Sequence, residues 1–195
     1  MPPQPPPPPH ARPVRGVLAV VGSAADGVET LREGLVLPAI ARGWRVAVTL
    51  TPTAARWLDA RGEIGRLGDV TGLPVRDRPR LPGDPRPHPV ADCCVLAPAS
   101  ADTLAKLALG IADNQALTLL AEVLGTPGVP LVAVPAVNAA HTRHPAWPRH
   151  LAALREAGVH LLHDPDARLP EPGEAPDGRA LPWPEVLDAV DRAMA

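Results

Sequence analysis

The sequence predicts a three-layer α/β sandwich built around a mostly parallel sheet, on three observations. Short apolar, partly β-branched runs alternate with longer amphipathic ones, the pattern of successive βαβ units. The clearest of the short runs, CCVLA at 93–97, is apolar throughout, as strands covered on both faces are. At 195 residues with 46% hydrophobic content, the chain is long enough to bury a substantial core as one domain.

The elements follow in order. Residues 1–13 (MPPQPPPPPHARP) hold too much proline to build a packed element and are expected to form a solvated, polyproline-like tail, leaving 14–195 as the folded domain. Residues 16–21 read as the first strand and 28–41 as a helix. Residues 44–49 read as a second strand, with a helix starting over 53–59 and a short strand over 73–76. A proline-rich loop at 79–89 leads to the central strand 93–97 and the helices 103–111 and 116–124. Strand 130–134, helix 148–157, strand 159–162, a Pro/Gly-rich loop at 165–182 and helix 185–194 complete the chain.

The most informative stretch is LAPASADT at 96–103, followed by GIADN at 110–114. Pro98 is expected to stop the strand, and Ser100 or Asp102 to cap the helix that follows. Free backbone N–H groups and small hydroxyls at such a turn form a cradle for a phosphate or a polar ring edge. The chain holds only two serines, Ser23 and Ser100, and two asparagines, Asn114 and Asn138. Three of these four follow predicted strands directly, at the edge where open α/β sheets bind ligands. The plainer reading is that Ser and Asn favour caps and turns anywhere; their scarcity elsewhere favours a ligand site.

Composition narrows the function classes. The formal charge is −2 and Lys106 is the only lysine, with no Tyr or Phe, so no basic stripe or stacking platform points to nucleic acid. No apolar run approaches membrane-spanning length and no signal pattern opens the chain, so a cytoplasmic protein without a membrane partner is expected. Cys93 and Cys94 are neighbours on a strand, point to opposite faces and are expected to be buried thiols. The histidines at 141, 144, 150, 160 and 163 lack the carboxylate or thiolate that would complete a metal set, so no metal is expected. The glycines near Gly22 and Gly27 do not form a dinucleotide fingerprint, and no G-x-S-x-G supports hydrolase chemistry. Trp44, Trp57, Trp147 and Trp183 read as core or interface anchors.

The chain resembles the flavoprotein family of FMN-dependent cysteine decarboxylases, which includes phosphopantothenoylcysteine decarboxylase and the lantibiotic peptide decarboxylases. The residues that carry the likeness are Gly22-Ser23, Thr51, PASADT at 98–103, GIADN at 110–114 and PAVN at 135–138, with HPA at 144–146 and LAALREAGV at 151–159. The resemblance implies a Rossmann/flavodoxin-like sheet and FMN held by Gly22, Ser23, Ala24, Thr51, Ala99, Ser100, Ala101, Asp102 and Thr103. It implies homotrimers, often stacked into dodecamers, with the flavin near subunit interfaces. It also implies a lyase reaction: oxidation of a cysteine thiol to a thioaldehyde, then loss of CO2 to leave an enethiol, on a small molecule or a peptide C-terminus. Asn138 matches the family asparagine, and His88 is the nearest candidate for the family's histidine base, four residues before Asp92 instead of about eight.

The chain departs from that pattern at three further places. Asp102 stands where the family has asparagine, and Ala139-Ala140-His141 replaces a methionine-containing run. The loop at 172–183 has no cysteine to reduce an enethiol, which favours peptide modification over coenzyme A synthesis. PASADT and GIADN are shared with the flavin prenyltransferases, for which Arg56, Arg143 and Arg149 would have to grip a phosphate. A non-catalytic flavin-binding partner is the third reading.

Overall fold

The computed structural model describes residues 14–174 and 181–195. The expected proline-rich tail and residues 175–180 of the late loop lie outside the described residues. Five strands form one parallel sheet in the order β2-β1-β3-β4-β5: β1 (Gly16–Gly22), β2 (Trp44–Leu50), β3 (Cys93–Ala99), β4 (Leu131–Pro135) and β5 (His160–Leu161). The helices are α1 (Leu37–Ala41), α2 (Pro52–Asp59), α3 (Glu63–Thr71), α4 (Ala101–Ala108), α5 (Gln115–Leu124), α6 (Ala139–Thr142), α7 (Trp147–Glu156) and α8 (Trp183–Ala193).

The two-residue period of a strand divides the core into two layers. From β1, Leu18 and Val20 pack with the 28–41 run, α2, α3 and α8. Ala19 and Val21 face the other way, onto α4, α5 and α7. Cys93 joins the first layer and its neighbour Cys94 the second, both as free thiols. Burial pushes the Cys93 thiol up to about 12 and Cys94 higher still, so neither is a nucleophile at neutral pH.

Five elements differ from the sequence expectation. The 28–41 run is not one α-helix: a 3-10 turn (Val28–Thr30) and a π-helical turn (Arg32–Val36) precede α1. Trp183 of α8 packs on this stretch, lying on Gly34 and donating its indole N–H to Thr30 Oγ1 at 3.0 Å. A Cβ at Gly34 would fall 2.0 Å from the indole, so only glycine admits that ring. The strand expected at 73–76 reduces to a single bridge between Arg76 and Thr49. Pro98 does not stop β3; the strand runs on to Ala99 with a register shift against β4, where the missing N–H is tolerated. α3 and the short α6 were not legible as separate helices. α3 starts after Gly62, whose φ of +68° breaks the helix that α2 begins.

Candidate functional site at the carboxyl edge of the sheet

The strand order places the switch point between β1 and β3, because the chain leaves β1 for β2 on one side and then crosses to β3 on the other. Ligands of open α/β sheets bind outside the strand carboxyl ends at such a point. The strand-end residues are Thr51 after β2, Ser23 after β1, Ser100 after β3 and Asn138 beyond β4. They stand in one row along four adjacent strands, roughly 14 Å from end to end at ordinary inter-strand spacing.

Ser23 has a structural task. It is fully buried, its hydroxyl donates to the Pro98 carbonyl at 2.8 Å, and it accepts the Ser100 N–H at 2.7 Å. Its own N–H also donates to Pro98 O at 3.0 Å. One side chain therefore ties β1 to β3 across the switch point. Gly22 has a packing reason as well: a Cβ there would meet Leu50 at 2.9 Å and Leu31 at 3.4 Å. Both residues hold the frame of the strand ends.

The donors left for a ligand come from the neighbouring turns. Thr51 caps α2 by accepting the Ala54 N–H at 3.4 Å, which leaves its hydroxyl proton free. The Ala24 and Thr53 N–H groups have no acceptor among the described residues. At α4, Ser100 Oγ accepts the Thr103 N–H at 3.2 Å and lies 2.9 Å from Thr103 Oγ1. The Ala101 and Asp102 N–H groups have no acceptor among the described residues. Asp102 turns outward, 72% exposed at the side chain, and pairs with Lys106 at 3.2 Å, while Lys106 also holds Asp113 at 2.9 Å.

Asn138 caps α6 by accepting the His141 N–H at 3.0 Å, which leaves its amide NH2 unused among the described residues. α6 is braced from the late loop: Ala139 N–H donates to Pro170 O at 2.9 Å, and Arg143 pairs bidentately with Glu171 at 2.8 Å through each nitrogen. Residues 170–174, which lead into the loop singled out for its missing cysteine, thus pack beside the Asn138 helix.

His88 does not join this row. Five prolines between 79 and 89 prevent a helix there, and the loop holds the ring with Nε2 2.7 Å from Pro74 O. Burial lowers the His88 pKa, the Pro74 carbonyl partly opposes that, and Arg76 adds to it. It lines a cavity that shares no residue with the strand-end row. Sequence reasoning passed over another lining residue, Arg76, whose one signal was its place at the end of the expected strand 73–76.

Two other histidines have structural contacts. His144 Nδ1 accepts the Ala146 N–H at 3.1 Å at the start of α7, and His163 meets the Trp147 ring edge-on at 6.1 Å. Trp44, Trp147 and Trp183 are buried, whereas Trp57 on α2 is 50% exposed.

No helix among the described residues is long and apolar enough to cross a membrane. The coenzyme A biosynthesis bifunctional protein CoaBC of Escherichia coli is 32% identical over 160 residues, 79% of this chain and 36% of its own length. The chain thus spans little more than a third of that curated relative. The CoaBC protein of Mycobacterium tuberculosis is 37% identical over 129 residues, 64% of this chain and 29% of its own. Among solved structures, the FMN-dependent cysteine decarboxylase TvaF of thioviridamide biosynthesis superposes with a TM-score of 0.66 at 25% identity, covering 92% of this chain and 98% of that one. The cypemycin decarboxylase CypD, at 19% identity and a TM-score of 0.68 over 95% and 97% of the two chains, shares the fold. The Flavoprotein family profile matches residues 12–195, and the chain belongs to that family.

Proposed function

We propose that this protein binds FMN along the strand-end row and decarboxylates a cysteine-bearing substrate oxidatively, the C-terminal cysteine of a peptide being the favoured substrate. The observation that carries the reading is the row itself: Thr51, Ser23, Ser100 and Asn138 on four adjacent strands at the β1/β3 switch point. The donors fit the group. The Ala24 and Thr53 N–H groups and the Thr51 hydroxyl suit a phosphate, and the backbone at Ala99–Ala101 suits the polar edge of a flavin ring. Similarity to TvaF and to the CoaBC proteins points to the same chemistry.

When bound, FMN supplies a two-electron oxidation of the thiol carbon to C=S, into which the electrons of the breaking C–CO2 bond move, so that CO2 and two hydrogens leave and an enethiol remains. The chain's own residues position and exclude. The unused Asn138 amide NH2 donates to the substrate carboxylate or to the amide beside it, and the base of the 170–174 loop, fastened by Arg143–Glu171, covers that end. Neither Cys93 nor Cys94 takes part, because both are buried and protonated. His88 lies outside the row, so the reading places orientation on Asn138 and gives His88 no proton transfer within its own protomer. A homo-oligomer, a trimer or a stack of trimers, is part of the proposal; the half-exposed Trp57 on the helix capped by Thr51 supports it.

The prenyl-transfer alternative is disfavoured because Arg143, one of three arginines it needs, is already neutralised by Glu171. Mass analysis of the flavin released on denaturation tests the cofactor assignment. Unmodified FMN supports it, a prenylated flavin moves the chemistry to the alternative, and failure to take up added FMN refutes the assignment.

A further inference from the structure

A cavity lies apart from the strand-end row. It encloses about 600 Å3 between the 76–91 loop, α5 and the sheet, within the ~300–1,000 Å3 range of small-molecule sites. Its floor is the in-register pair Ala19 and Ala47, three positions before the β1 and β2 carboxyl ends at Gly22 and Leu50, hence roughly 10 Å back from the edge. Where a doubly wound fold would set a crossover helix before β3, the prolines leave a loop, and the cavity lies beneath it.

The lining is cationic. Arg76, Arg80 and Arg86 face this space against the single acid Glu122. Arg80 is engaged with the Leu81 and Asp84 carbonyls of its own loop, at 3.5 and 2.9 Å. Arg76 is different. Its backbone is pinned to β2, with its N–H on Val48 O at 3.0 Å and its carbonyl taking the Leu50 N–H at 2.7 Å. The side chain of Arg76, a residue of intermediate exposure, makes no hydrogen bond and no ion pair among the described residues, with Glu122 the acid whose charge acts on it, and the exposed Arg86 is likewise unpaired. A partly desolvated guanidinium with five unused donors is costly unless an oxyanion meets it. Burial depresses the Arg76 pKa for the same reason. Apolar groups, the alanine floor with Leu119 and Val129, complete the wall opposite the charge.

We propose that this cavity is a second binding site, separate from the strand-end row, that seats the carboxylate or phosphate of a small organic anion on Arg76 and Arg86 with its apolar part over Ala19 and Ala47. His88 lines the same space and holds the loop through its contact with the Pro74 carbonyl. The site stands whether or not the flavin reading holds, because none of its residues belongs to the strand-end row.

Titration calorimetry at constant ionic strength tests it, with inorganic phosphate and benzoate as probes on the protein carrying its flavin, or on the flavin-free protein if none is retained. Saturable binding of either probe is expected, weakened about tenfold or more by Arg76→Gln and by the exposed Arg86→Gln, and unchanged by Thr51→Val at the row. Tighter phosphate than benzoate identifies a phosphorylated ligand, and the reverse a carboxylate; either supports the site. No saturable binding, binding that Arg86→Gln leaves unchanged, or binding that Thr51→Val abolishes overturns it. Arg86→Gln carries the test if Arg76→Gln fails to fold.

Discussion

Ser23→Ala separates a framing residue from a ligand-binding one. The substitution removes a hydroxyl that donates to Pro98 O at 2.8 Å and accepts the Ser100 N–H at 2.7 Å, at a position with no solvent exposure. Pro98 O keeps the Ser23 N–H at 3.0 Å, so loss of the donated bond costs about 1 kcal/mol. The Ser100 N–H loses the acceptor it has here; Ser100 is only half-buried, so the cost of orphaning it lies near the low end, again about 1 kcal/mol. The sum is about 2 kcal/mol, or a fall in Tm of about 4–8 °C for a chain of this size. Thermal unfolding followed by circular dichroism measures it, with flavin affinity measured in parallel. The framing role predicts that the Tm falls while the FMN dissociation constant rises only severalfold. An unchanged Tm with FMN binding abolished would show that the hydroxyl contacts the ligand, and the reasoning would fail.

Asn138→Ala should lower turnover of a cysteine-terminated peptide by about a hundredfold, as loss of a single positioned hydrogen-bond donor does, while FMN content by absorbance is retained. A thiol reagent should leave both Cys93 and Cys94 unmodified at neutral pH in the native protein and label both after denaturation, read by intact mass. The Arg32 Nε and Arg66 contacts hold the Glu63 carboxyl below the usual carboxylate range, at 2.8 and 2.6 Å. A depressed carboxylate stabilises above its unfolded pKa and loses that contribution as the pH falls through the folded value. Glu63→Gln should therefore reduce Tm at neutral pH and make little difference in acid, as seen in Tm recorded across the pH range. Gly34→Ala should lower Tm by displacing Trp183 from the π-helical turn, with the tryptophan emission shifted to the red.

Much of this architecture was legible in the sequence because burial dictated it. The apolar runs of β1, β2, β3 and β4 needed no partner to be recognised, and the adjacent cysteines fell on opposite faces by strand period alone. The site was legible through scarcity: in a chain with two serines and two asparagines, each of Ser23, Ser100 and Asn138 stands beyond a strand. What resisted reading depended on contacts between distant segments. The π-helical turn at 32–36 packs against a tryptophan about 150 residues away, and β3 passes Pro98 only because β4 shifts register there. The burial of Ser23 against Pro98 and Ser100 was not legible, because it belongs to the tertiary structure. His88 was legible only by its nearness to Asp92, and its seat against the Pro74 carbonyl, among residues the strand-end row does not share, depends on a contact across the loop.

The most direct test of the central claim is to incubate the flavin-loaded protein with a peptide ending in cysteine and to follow the peptide by mass, with the Asn138→Ala protein as control. The account predicts loss of CO2 together with two hydrogens from the C-terminal residue, and an enethiol trapped by alkylation, only with the unaltered protein. An unchanged peptide, in the presence of bound FMN and oxygen, would contradict it.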